Sequence, residues 1–403
     1  MYDVLRGVRV VELATYWFVP AATAVLADWG AEVIKIEHPT QPDPLRALVT
    51  GGLALGDFPV NFMVEQANRG KRSIGLDVQA PSGRDVLATM LADADVFVTN
   101  LLPGARRRLQ IDVDDVRRDN PDLIYVRGSG YGPRGPDADR PAFDASAFWS
   151  RSGLAEALQR PTDAPPVPMR PAFGDSTSSL SMTLGIVGAL LRRQRHGIAS
   201  VVDVSLMSTA NWVLAPDVLA PQYTDEPMNP VGDRHTTPNP LVCYYRTKDR
   251  RWIFLAVMTI DRDWPSLAPR LGRPELANDP RFTDPARRRE ARDECIAILD
   301  EVFAERTLAE WTTALEGFRS PWAAVEHPRD VATDPQVRAN DYVVQIDGDA
   351  GLFPVVASPV QFDEAPLALT RAPAHGQHTE EILLELGYDW PTIAALKGSQ
   401  TII

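Results

Sequence analysis

The sequence predicts an α/β protein, with a main domain built on a parallel sheet and a smaller α+β domain inserted into it. Three observations predict this. Between residues 8 and 126, short apolar runs suited to buried parallel strands alternate with helical segments. Two Pro-rich stretches, Arg160–Pro171 and Ala215–Pro240, break that alternation, and the second is too long for an ordinary loop. Beyond it the pattern becomes a hairpin followed by helices. The expected divisions are a main domain over 1–214, a linker over 215–240, a small domain over 241–330, and a segment over 331–403 returning to the main domain.

The totals agree with a soluble globular chain of two domains: 403 residues, 44% apolar and 24% charged. A net charge of −13 argues against nucleic acid as the main partner. Two cysteines, Cys243 and Cys295, are too few for a disulfide framework and suit a reducing cytoplasm. No signal-peptide pattern opens the chain, and no apolar run approaches membrane-spanning length. His375 and His378 lack a third ligand nearby in sequence, so no metal site is expected.

In order, Val8–Leu13 reads as a strand, Pro20 opens a helix that Gly30 stops, and Ala31–Ile36 is the next strand. The intervening loop, Ala14-Thr15-Tyr16-Trp17-Phe18-Val19, holds three aromatics and no glycine. A dinucleotide pyrophosphate needs Gly-x-Gly-x-x-Gly there, so NAD or FAD in the usual mode is excluded. The aromatics either line an apolar ligand slot or pack internally. Asn68-Arg69-Gly70-Lys71-Arg72 is a basic cluster suited to phosphates or simply to solvent. A helix after Pro81 leads to a strand, Asp95–Thr99, ending at Asn100-Leu101-Leu102-Pro103-Gly104. Arg106, Arg107 and Arg108 follow. Leu123–Val126 is a strand entering the glycine-rich Gly128–Gly135. In the small domain, Leu241–Arg246 and Arg251–Val257 form a hairpin. Helices are expected near Trp264, over Arg289–Phe303 and over Ala309–Leu315, the last behind the capping box Thr307-x-x-Glu310. Strands at Tyr342–Ile346 and Leu352–Val360 and a helix at Thr379–Leu386 close the chain.

Pro171-Ala172-Phe173-Gly174-Asp175-Ser176 precedes a long apolar helix, read as Ser179–Arg195 and stopped by Gly197. Asp175 then sits at the helix's positive end, which predicts an ionised carboxylate of lowered pKa. Such a group is a cap, a nucleophile or a base.

Seven ordered pieces resemble the family III CoA-transferases, which include the α-methylacyl-CoA racemases. They are Leu5–Val10, Leu26–Glu37, Asn68–Ile74, Asn100–Gly104, Asn120–Tyr125, Gly130–Pro136 and Val202–Leu206, with Gly174-Asp175 in its expected place. The resemblance implies a Rossmann-like main domain, an interlocked homodimer, and acyl-CoA as substrate with no tightly bound cofactor. It implies Asp175 as a nucleophile that forms an aspartyl-acyl anhydride and then an aspartyl-CoA thioester. It places CoA contacts at Tyr16, Trp17, Phe18, His38, Lys71, Arg72, Asn100, Leu101, Arg108 and Leu109. The racemases carry His-Asp where this chain has Phe143-Asp144. Phenylalanine cannot move a proton, so a transferase is favoured, with Phe143 and Asp144 beside Asp175. A racemase and a non-catalytic CoA-binding protein are the alternatives. Phe143, Phe148 and Trp149 suggest an apolar acyl pocket. The family's glycine-rich lid has no counterpart in Leu241–Trp264, which contains no glycine.

Overall fold

The structure, a computed structural model, describes residues 2–47, 49–50, 53–54, 60–159, 165–224, 234–349 and 351–403. The chain divides into two compact units. One comprises Met1–Glu156, Val167–Val218 and Pro335–Ile403; the other comprises Ala157–Pro166 and Leu219–Asp334.

The first unit contains six parallel strands in one sheet: β1 (Arg9–Leu13), β2 (Glu32–Glu37), β3 (Arg72–Gly75), β4 (Val96–Thr99), β5 (Ile124–Ser129) and β6 (Val201–Ser205). Their spatial order is β3-β2-β1-β4-β5-β6. The order reverses between β1 and β4, and such a reversal opens a ligand crevice beyond the strands' carboxyl ends. Alternate residues of each strand serve opposite faces. Val10, Val33, Val98 and Val126 join Val19 and Leu26 of helix α1 (Phe18–Asp28) on one face. Val11, Ile34, Ile74, Phe97 and Tyr125 join Val86 and Leu87 of helix α2 (Pro81–Ala92) on the other. Each fully buried Val or Leu contributes about 1.5–3 kcal/mol, so both faces of the sheet anchor helices strongly.

Helix α3 (Pro103–Leu109) follows β4 directly. Helix α4 (Phe173–His196) precedes β6, and helix α5 (Leu206–Val213) follows it. α4 begins six residues before the expected Ser179, behind Ala172 in the left-handed region (φ 56°), and ends as expected at Gly197 (φ 65°). The segment after Asp144 winds as a π-helical turn over Ala145–Ser150. At the C-terminus, Thr379–Glu385 is helical as expected. A further helix, Trp390–Gly398, escapes the sequence reading; Asp389 caps it by accepting the Thr392 amide hydrogen, and Ile393 and Leu396 bury it.

The second unit has the expected hairpin, Val242–Arg246 against Trp252–Ala256, and an unexpected third strand at Trp322–Ala324. Trp264, Leu299, Phe303 and Trp311 form its core with both cysteines, which are free. The Thr307–Glu310 capping box is present. The long connector is not uniformly extended: Ala215–Leu219 is helical, and single turns occupy Ala220–Gln222 and Arg234–Thr236. Residues 160–164 and 225–233 of the two connectors lie outside the described residues. Among the described residues no helix is long and apolar enough to cross a membrane.

Candidate active site

The β1–α1 turn closes the crevice at the switch point. Thr15 is bracketed by Asn100 from the end of β4: its amide donates to Oδ1 at 3.1 Å, and its carbonyl accepts from Nδ2 at 2.7 Å. Tyr16 follows in the left-handed region (φ 64°), unusual for a residue with a side chain. Bulky aromatics thus fill the place where a dinucleotide fold keeps glycines, as the sequence implies.

A cavity of about 750 Å³ lies over the carboxyl ends of β1, β4, β5 and β6. Of the expected residues, Tyr16, Phe18, Asn100, Leu101, Phe143 and Asp175 line it. The rings of Tyr16 and Phe143 meet edge to face at 5.2 Å. Arg106 and Arg107 of the basic cluster after β4 line it too, and sequence reasoning misses Arg127, Ser129 and Asp203, which also do so. Arg127 and Asp203 form a two-point ion pair (2.7 and 2.9 Å) at neighbouring strand ends, which strand register alone would have disclosed. A second cavity of about 190 Å³ takes in His38, Leu101 and Leu109 and shares Thr15 and Leu101 with the first.

The remaining expectations are corrected. Lys71 is no surface phosphate ligand. Its side chain is fully buried and its ammonium donates to Glu12 (2.8 Å), the Pro20 carbonyl (2.9 Å) and Asn68 (2.9 Å). Lys35 joins the same network through Glu12 and Asp43, both at 2.9 Å. Burial opposes charge on Glu12, yet Lys35 and Lys71 together hold its pKa down to about 2. Arg72 is spent on Glu32, Glu381 and Glu385. Arg108 is exposed and outside both cavities, and its neighbours Arg106 and Arg107 face the larger one instead. Trp17 packs with Leu45, Val64 and Ala67, and its indole nitrogen donates to Ser176 Oγ at 2.9 Å. Phe148 is buried in the core, and Trp149 donates to the Val167 carbonyl, so only Phe143 of the three aromatics reaches the cavity.

Asp175 occupies the first turn of α4. Its pKa is not lowered. Burial, reinforced by the negative charge of Asp144, pushes it up to about 8, so desolvation outweighs the helix field. Asp144 is also raised, again chiefly by burial. It caps its own π-helical turn by accepting the Ala145 amide at 2.8 Å. Its Oδ2 is buried without a hydrogen-bond partner, although the amides of Gly174 and Asp175 favour its charge. Gly174 explains the close approach: a Cβ there would lie 2.5 Å from Phe148 Cγ, so only glycine lets α4 seat against the Asp144 segment. The result is a desolvated Asp175 carboxyl in the cavity wall, with the like charge of Asp144, itself buried outside the lining, raising its pKa further.

The sequence profile of CoA-transferase family III matches residues 5–379. The chain is 32% identical over 401 residues to the (R)-2-hydroxy-4-methylpentanoate CoA-transferase of Clostridioides difficile, covering 99% of each chain. It is 32% identical over 406 residues to the cinnamoyl-CoA:phenyllactate CoA-transferase of Clostridium sporogenes, covering 100% of this chain and 98% of that one. The crystal structure of a CAIB/BAIF family protein from Brucella suis is 28% identical and matches with a TM-score of 0.81. That match covers 96% of this chain and 100% of the other.

Proposed function

This chain belongs to CoA-transferase family III, and on that premise we propose that Asp175 is the nucleophile that carries CoA from an acyl-CoA thioester to a carboxylic acid. A carboxylate oxygen of Asp175 attacks the thioester carbonyl. The C–S bond breaks, leaving an aspartyl-acyl anhydride and CoA thiolate. The thiolate attacks the aspartyl carbonyl carbon, expels the first acid as a carboxylate, and leaves an aspartyl-CoA thioester. An acceptor carboxylate repeats the two steps in reverse and restores Asp175. No proton is consumed, and the thioester's free energy is kept.

The burial of Asp175 in the cavity wall carries this reading. A desolvated carboxylate with a raised pKa binds a carbonyl carbon more strongly than a solvated one does. Asp144 tunes it by repulsion. Tyr16, Phe18, Asn100 and Leu101 supply the wall for CoA, and His38 and Leu109 extend it into the smaller cavity. Phe143 is 60% exposed and has no proton to give, so nothing supports two-base racemisation. Both relatives are named for hydroxy acids with apolar side chains. Phe143, Phe18, Ala142 and Leu206 in the wall favour an apolar or aromatic acid here as well.

The working form in this proposal is a cytoplasmic homodimer. Exposed apolar side chains on α4 and α5 support pairing, with Leu184 at 74% and Trp212 at 83% exposure. A panel of CoA thioesters against carboxylic acids, read by mass, tests the transfer. No transfer with any apolar or aromatic pair would reject the substrate reading.

A further inference from the structure

The helix turn that carries Asp175 is held from a direction that the chemistry above does not use. Tyr16, whose left-handed backbone is costly for a residue with a Cβ, is held there by Asp43: its amide donates to Oδ1 at 2.9 Å. The same oxygen accepts the Leu45 amide at 3.0 Å, and Lys35 pairs with the carboxylate at 2.9 Å. Lys35 also donates to the Ala14 carbonyl at 2.9 Å. Both ends of the turn are thereby tied to one buried ion cluster. With Thr15 fixed by Asn100, the next residue has little freedom.

That residue is Trp17. Its ring sits against Leu45, Val64 and Ala67 and does not line the 750 Å³ cavity. Its one polar atom reaches across 159 positions of sequence to Ser176 Oγ at 2.9 Å. Ser176 follows Asp175 directly, and its amide bonds the Ala172 carbonyl at 2.9 Å to close the first turn of α4. Behind that turn stands Ala172, itself left-handed, and Gly174 is pressed on Phe148. The turn is therefore pinned on one side by Phe148 and on the other by Trp17.

We propose that Trp17 is a positioning residue for Asp175, acting through its hydrogen bond to Ser176. The proposal rests on the reading of Asp175 as nucleophile. Asp175 must present an oxygen to the thioester and then its own carbonyl carbon to the thiolate. Small errors of placement are costly to such steps. Because Trp17 lies off the cavity wall, its loss should slow chemistry and leave ground-state binding intact.

The test is single-turnover acylation of Asp175 by an acyl-CoA, read by quenched-flow mass spectrometry, alongside steady-state kcat and KM. Trp17→Phe and Ser176→Ala should each slow acylation about 10-fold, with KM changed less than about 2-fold. The double variant should be no slower than either single one, since both remove one shared bond. Ser176→Thr keeps the acceptor and should restore the rate to within about 3-fold of the unaltered enzyme. If Trp17→Phe folds poorly, Ser176→Ala against Ser176→Thr decides the matter alone. Additive losses, a raised KM with intact kcat, or no loss would overturn the proposal while leaving Asp175 as nucleophile. Failure of the unaltered enzyme to form any adduct at Asp175 would overturn both.

Discussion

Replacing Asp175 by asparagine removes the proposed nucleophile and should make the protein more stable. The burial that raises the carboxyl pKa from 3.8 to about 8 is a cost borne by the folded state once the group should be ionised. The sign follows from the direction of the shift. Below the unfolded pKa the group is protonated in both states, and asparagine mimics it closely. Between 3.8 and about 8 the unfolded chain has released its proton and the folded chain has not, so the native enzyme loses stability with rising pH. The variant does not, and its advantage grows until it levels off above about 8. At about 1.4 kcal/mol per unit the ceiling is roughly 6 kcal/mol. Relaxation around the charge recovers much of it, leaving an expected gain of about 2 kcal/mol. Urea melts of both proteins at about pH 5, 7 and 9 measure it. A variant that is less stable, or a difference independent of pH, would refute the claim that desolvation dominates at Asp175.

Three further perturbations follow from the same geometry. Asp144→Asn removes the like charge beside Asp175, so the rise of kcat/KM with pH should move down by about one unit; an unmoved or upward-shifted profile would show the two are not coupled. Gly174→Ala drives a Cβ to 2.5 Å from Phe148 Cγ and should destabilise by about 1–3 kcal/mol with a falling kcat, checked by thermal melts and kinetics. Lys71→Met removes one of the two cations paired with buried Glu12, leaving Lys35 and the Thr23 hydroxyl, and should cost about 3–5 kcal/mol of stability while KM for acyl-CoA in the folded fraction stays unchanged.

Strands such as β4 (Val96–Thr99) are legible in the sequence because they are buried throughout and read as apolar runs, whereas β3 (Arg72–Gly75) is hidden in the basic stretch. Glycine and proline at the helix ends mark most boundaries, as Gly197 does for α4. What is not legible depends on contacts between distant segments. The start of α4 is set by Gly174 meeting Phe148, and no local rule foretells that contact. Lys71 and Arg72 read as a free basic patch, because their partners Glu12 and Glu385 lie far away in sequence. The pKa of Asp175 fails for the same reason. The helix field is local and visible, whereas burial and Asp144 belong to the folded chain. Tyr16, Asn100 and Asp175, which lie far apart in sequence, line one cavity; the loop, strand end and helix start that carry them are each visible locally, and the resemblance groups them in one site.

The central claim is covalent: CoA passes through Asp175. Incubation with an acyl-CoA, acid quenching and intact-protein mass spectrometry test it most directly. The account predicts an acyl or CoA adduct that maps to Asp175, disappears with hydroxylamine, and is absent from Asp175→Ala, which should transfer no CoA. An Asp175→Ala enzyme that retains transfer, or an adduct on another residue, would contradict it.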